Sequence, residues 1–199
     1  MKAFKENNKT LEHNFIGGWY INKKVCDNVI KYFENNHNKI KGLSGNGEGQ
    51  TTYQPKVKDS LDLVIDPTAT EKPIVNYHKE LFKVLEEYKT KYIYSDQIQA
   101  AYGLTDNWNI QKYQPGGGYF KWHFERYPYP ATIRRHLVFM TYLNDVTDAG
   151  ETEFYYQKIK VKPEKGLTLI WPSEWPWTHR GLTSKTQIKY IATGWFCYV

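Results

Sequence analysis

His123 and Glu125 stand two residues apart in YFKWHFE, just after a glycine-rich turn. In an extended segment the side-chain period of two puts both on one face, where an imidazole and a carboxylate can converge on one cation. Alone, an H-x-E pair is common and carries little weight. Two histidines and one carboxylate on one face of an iron(II) ion leave the opposite positions open, which is what an oxygen-activating centre needs. The third ligand should then be a distant histidine on a neighbouring strand, and only His136 and His179 lie downstream. His136, inside RRHLVFMTYL, alternates with the other residues of a strand, has no ligand-like partner and reads as structural. His179 lies in WTHRG, a turn-like segment before the final strand.

Lys189 opens that strand, KYIATGWFCYV, and shares a face with Ile191, Thr193 and Trp195. A lone cation would thus point inward among apolar and aromatic neighbours, which is costly unless an anion meets it. A dicarboxylate co-substrate would supply one. The competing reading is an edge lysine whose ammonium snorkels to water.

The elements that must position these groups are mostly strands. WNIQKYQ, HLVFMTYL, TEFYYQ, KIKV, LTLIW and KYIATGWFCYV show period-two alternation or β-branched and aromatic enrichment, separated by turn signals such as QPGGG, NDVTDAG and KPEKG. Strands at this spacing predict a jelly roll. Ahead of them, Asn22 is an N-cap for an amphipathic helix over about 23–36, and Pro73 starts a second that runs to about residue 89. His78 falls on or beside the apolar stripe of the second helix and reads as a packed or half-exposed histidine. Residues 41–51 (KGLSGNGEGQT) lack the G-K-[ST] ending of a phosphate loop and read as a mobile surface loop. The fold class expected is α+β, mainly β: a double-stranded β-helix (jelly roll) core, about 106–199, flanked by N-terminal helices, about 1–105, in a single domain.

At 199 residues, 40% hydrophobic and 17% aromatic, the chain can close a core around a pocket. Its net charge of +6 comes from lysines scattered among Asp, Glu and Asn, the pattern of a solvated surface rather than a nucleic-acid patch. Two distant cysteines imply neither a disulfide framework nor a thiolate zinc site. With no apolar run of signal-peptide or membrane-span length, the expected location is cytoplasmic, with no membrane partner.

The segments YQPGGGYFKWHFE, TYLND, AGETEF, VKPEKGLTLIWP, WTHRG and KYIATGW, in that order across residues 113–195, resemble the 2-oxoglutarate and Fe(II)-dependent oxygenases of the prolyl hydroxylase type. FIGGWYINKKVCDNVIKYF and VKDSLDLVID resemble that family's N-terminal regions less closely. The resemblance implies that His123, Glu125 and His179 bind Fe(II) and that Lys189 pairs with the C5 carboxylate of 2-oxoglutarate. It implies that Tyr113 and Tyr142 lie near that carboxylate and that Thr193 and Trp195 line the pocket. It also implies O2 as co-substrate, ascorbate as an optional addition, succinate and CO2 as co-products, and a prolyl residue of a peptide or protein as substrate.

One departure stands out: the family's usual pair is H-x-D, and Glu125 carries an extra methylene. Trp122, Tyr127 and Tyr129 fit either a substrate entrance or core packing, and Arg126 either a substrate contact or plain surface. Two rival functions remain at this point: an oxygenase of nucleic acid or a small molecule, and a jelly-roll binding module without chemistry.

Overall fold

Strand pairing in the computed structural model, which describes residues 1–3, 14–45, 50–97 and 100–199, organises the chain around one large antiparallel sheet. In chain order the elements are β1 (Gly17–Tyr20), α1 (Lys23–Asn35), β2 (Ile40–Lys41), β3 (Ser44–Gly45), β4 (Thr51–Thr52), β5 (Lys58–Asp59), β6 (Leu61–Ile65), α2 (Lys72–Lys91), β7 (Tyr102–Gly103), β8 (Trp108–Tyr113) and β9 (Gly118–Tyr119). They continue with β10 (Arg135–Tyr142), β11 (Thr152–Phe154), β12 (Ile159–Val161), β13 (Leu167–Pro172), β14 (His179–Gly181) and β15 (Lys189–Tyr198). The large sheet runs β1-β13-β10-β15-β8-β6-β2, with β7 beside β15, and the small one runs β12-β11-β14. Two further ladders join β3 to β4 and β5 to β9.

Burial on both faces explains why the central strands are apolar at almost every position. Leu137 and Phe139 of β10 and Ala192 and Phe196 of β15 pack under the helices with Val29, Phe33, Tyr77 and Leu81. Between them, Val138, Met140 and Tyr142 of β10 and Ile191 of β15 point the other way, toward Phe154, Val161 and Trp171. Gly194 lets β15 lie close on its neighbours, since a Cβ there would sit 2.4 Å from the Trp108 side chain.

The helices take one face. Asn22 caps α1 by accepting the Lys24 N–H at 2.9 Å, and the helix buries Cys26, Val29 and Phe33. Pro73 sits in the first turn of α2, which buries Ile74, Tyr77, Leu81, Val84, Leu85 and Tyr88. The opposite face, toward the small sheet of the jelly roll, is left to line a cavity.

Four strands from before residue 105, β1, β2, β6 and β7, join the large sheet, so the N-terminal stretch adds strands as well as helices. The flanks of 41–51 pair as β3 and β4, and residues 46–49 lie outside the described residues. His179 begins β14 rather than standing in a turn. Cys26 and Cys197 are buried and unpaired. Among the described residues no helix is long and apolar enough to cross a membrane.

Candidate active site

A two-way backbone bridge brings the two distant histidines together: the His123 N–H donates to the His179 carbonyl at 3.0 Å, and the His179 N–H to the His123 carbonyl at 2.8 Å. β14 holds His179 against Phe154 of β11, and the Ser173 carbonyl at the end of β13 accepts the Glu125 N–H at 3.1 Å. Each imidazole is tied at Nδ1 to a carbonyl two residues back, His123 to Lys121 at 3.0 Å and His179 to Trp177 at 2.9 Å. A carbonyl only accepts, so Nδ1 carries the proton and, in the neutral ring, Nε2 is a bare lone pair. Those Nε2 atoms lie 3.4 Å (His123) and 3.6 Å (His179) from Glu125 Oε1.

Burial, then the neighbouring charge of His123, pushes the His179 ring down to about 4, so it is neutral at pH 7. Burial works against the charge on Glu125, but the hydrogen bond and charge of His123, with Arg135 and His179 behind them, hold the carboxyl well below the usual carboxylate range. The three ligand atoms lie within 4.8 Å of one another. Lone pairs and a carboxylate facing one point suit a divalent cation of the borderline type that imidazole and carboxylate bind. The residues present therefore fit iron. Tyr119 stacks on the His123 ring at 3.7 Å and 15°, and Trp171 meets His179 edge-on at 5.1 Å.

At the other end of the site, Lys189 is 4% exposed. The positive-φ turn at Gly150 (φ 81°) presents its carbonyl to Lys189 Nζ at 2.9 Å, and the Leu182 carbonyl accepts at 3.1 Å. Among the described residues no carboxylate pairs with it, and an ammonium has a third proton to give. Burial pulls its pKa down to about 8, against the pull of Glu151.

The cavity spans about 330 Å³, within the range of small-molecule sites. All eight residues singled out from the sequence, His123, Glu125, His179, Tyr113, Tyr142, Lys189, Thr193 and Trp195, line it. Their polar atoms are unequally committed. Tyr113, opposite Lys189 in register, donates to Gln111 Oε1 at 2.6 Å. The Tyr142 hydroxyl sits between Thr152 Oγ1 (2.6 Å) and the Val161 carbonyl (3.0 Å). Thr193 donates to the Phe139 carbonyl at 3.0 Å, and Trp195 to Glu125 Oε2 at 3.1 Å.

Other cavity residues had no sequence signal. Lys58 and Asp62 form a buried ion pair in the wall, and Asp62 also accepts from Ser60 at 2.7 Å and Gln111 at 3.4 Å. Arg135 reaches Glu125 from β10. Trp122 packs edge-on with Tyr155 under Arg180, Tyr127 stacks on Phe124, and Arg126 pairs with Glu174 at 2.7 Å; none of the three lines the cavity. His78 accepts the Trp108 indole N–H at 3.1 Å, and His136 bridges the Ser95 carbonyl and the Tyr198 hydroxyl. Both are structural.

Residues 108–197 match the model of the 2OG-Fe(II) oxygenase superfamily. The fold is similar to that of a viral collagen prolyl hydroxylase from Paramecium Bursaria Chlorella virus-1, solved as a 2OG complex (19% identity, TM-score 0.68, covering 96% of this chain and 99% of that one). It is similar also to a Pseudomonas putida prolyl-4-hydroxylase (16%, TM-score 0.67, 94% and 95%). A third similar structure is a prolyl hydroxylase from Trichoplax adhaerens in complex with a hypoxia inducible factor oxygen degradation domain peptide fragment (13%, TM-score 0.71, 94% and 85%). No curated protein sequence matches the chain. The family match lies in the jelly-roll half of the chain, and the likeness to these structures shows that its fold is theirs.

Proposed function

We propose that this chain is a 2-oxoglutarate- and Fe(II)-dependent dioxygenase that hydroxylates a prolyl residue of a peptide or protein, working in the cytoplasm. His123, Glu125 and His179 would hold the iron, and Lys189 the far carboxylate of 2-oxoglutarate, with Tyr113, Tyr142, Thr193 and Trp195 walling the cavity between. Bound there, iron and 2-oxoglutarate supply oxygen activation, with succinate and CO2 as co-products and a hydroxyl left on the substrate.

The chain's own residues do the rest. The Nδ1 tethers aim both Nε2 atoms inward before any metal arrives, which lowers the ordering cost of binding. Lys189 offers its remaining proton in a water-poor pocket, where a charge-assisted hydrogen bond to a carboxylate is strong. At the cavity mouth the apolar Ile40, Leu43 and Val64 are partly exposed, a lining that accepts an uncharged ring more readily than phosphates. The observation that carries the proposal is the pairing, in one cavity, of a converging His-Glu-His cluster with a buried ammonium that, among the described residues, lacks a carboxylate.

Anaerobic addition of Fe(II) and 2-oxoglutarate should produce the visible charge-transfer band of the chelate. Succinate release, with ascorbate present, should rise with proline-rich peptides and not with single-stranded oligonucleotides. No band and no thermal stabilisation by either ligand would favour a binding module, and stimulation by oligonucleotides alone would reassign the substrate.

A further inference from the structure

Glu125 uses its two carboxylate oxygens differently. Oε1 faces His123 and His179, whereas Oε2 turns away and receives the Trp195 indole N–H at 3.1 Å and Arg135 Nη1 at 3.3 Å. Arg135 Nη1 also donates to the Glu125 backbone carbonyl at 3.0 Å, so one guanidinium grips the residue twice. Arg135 is itself held. Its guanidinium lies 3.4 Å from the Trp195 ring centroid, and Ser173, whose carbonyl takes the Glu125 N–H, donates its hydroxyl to the Arg135 carbonyl at 2.7 Å. The β10–β15 register shifts between Arg135 and Leu137, an irregularity of the kind that re-aims side chains beside a site. The side chains of Arg135 and Glu125 are only 17% and 15% exposed, so water competes weakly for these bonds.

We propose that Arg135 and Trp195 are positioning residues that make Glu125 a one-oxygen ligand; this rests on the reading of Glu125 as a ligand. A glutamate arm has one more rotatable bond than an aspartate arm. Unbraced, it can swing aside or offer both oxygens to a metal. The second mode would fill a coordination position that a three-residue site must leave open. Two donors on Oε2, one of them charged, oppose both failures. The brace is matched to the longer arm: an aspartate at 125, one methylene shorter, cannot reach the metal and the brace together.

The test uses Co(II) alone, without co-substrate or oxygen, read by calorimetry and by visible d–d absorption. Trp195→Phe and Arg135→Met should each weaken Co(II) binding by about tenfold to a hundredfold, the usual loss for a group that orients a ligand. Both should also change the d–d band as the carboxylate alters its binding mode, which a merely structural residue would not do. In a Glu125→Asp background, Trp195→Phe should change affinity less than twofold, because the coupling is gone. If Arg135→Met does not fold, Trp195→Phe carries the test, since it keeps an aromatic ring and removes the indole N–H donor. Wild-type affinity and spectrum in Trp195→Phe, while Glu125→Ala loses the metal, would overturn the brace. So would an equal Trp195→Phe loss in the Asp background. Undiminished binding by Glu125→Ala would instead remove the ligand reading beneath it.

Discussion

Lys58 and Lys189 are buried to the same degree, 4% exposed each, and both line the cavity. They differ in company. Lys58 has the Asp62 carboxylate, which is further held by Ser60 and Gln111. Lys189 has two backbone carbonyls and, among the described residues, no carboxylate. A buried pair is electrically closed and depends on neither partner being removed, whereas a buried lone ammonium is a deficit that an outside anion can cancel. Burial and location are equal, so the partner alone separates a closed pair from an open cation.

The comparison breaks most visibly at Lys58. Lys58→Met strands the Asp62 carboxylate and should cost about 3–5 kcal/mol of stability, read by denaturant unfolding; adding Asp62→Leu should recover most of it. An unchanged unfolding midpoint would show that the pair is not closed as described. Lys189→Met should do the reverse. Stability should hold or rise, because an unpaired buried cation is gone, while 2-oxoglutarate affinity falls about 100-fold or more, measured by calorimetry with metal present.

The two lysines are next sharpened by pH. With Lys189 near 8 in the folded chain against an ordinary 10.5, both folded and unfolded forms carry the charge below pH 8, and the burial cost is fully present. Between about pH 8 and 10.5 only the unfolded form keeps the proton, so this group's contribution to stability improves as pH rises. Anion binding runs the other way: 2-oxoglutarate affinity should fall roughly tenfold per pH unit above about 8, and a flat profile to pH 10 would contradict the assignment. The smallest effect belongs to Tyr142→Phe. Its hydroxyl is committed to Thr152 and Val161, so the loss should be about 1 kcal/mol of stability with little change in 2-oxoglutarate affinity. A large affinity loss would mean that the hydroxyl turns to the co-substrate.

The C-terminal strands were legible because their period-two runs and turn signals are local, and so was α1, whose Asn22 cap stands in the sequence. β1 (GGWY) was not: it is short, opens on two glycines, and becomes a strand through its pairing with the distant β13. Lys189 was legible as a cation on an inward strand face. The Lys58–Asp62 pair was not, because its i, i+4 spacing suggests a helix, while here it spans β5 and β6 across Ser60. Arg135, next to Arg134 in RRH, reads as surface from sequence; its meeting with Glu125 depends on the Ser173 contacts and the register shift in β10. The departure at Glu125 was visible as a residue type, and what accommodates it was visible only in space.

The two-faced burial of β15 has a consequence for how this chain can vary. Lys189, Ile191, Thr193 and Trp195 look into the cavity, and Ala192 and Phe196 look under the helices. Alternate positions of one strand thus answer to different selections. Substitutions at Lys189, Thr193 and Trp195 should change which ligand is held and leave folding yield near normal. Those at Ala192 and Phe196 should change yield and leave ligand choice alone. Chemical specificity and foldability are written in alternating letters along residues 189–196, so either can drift without rewriting the other.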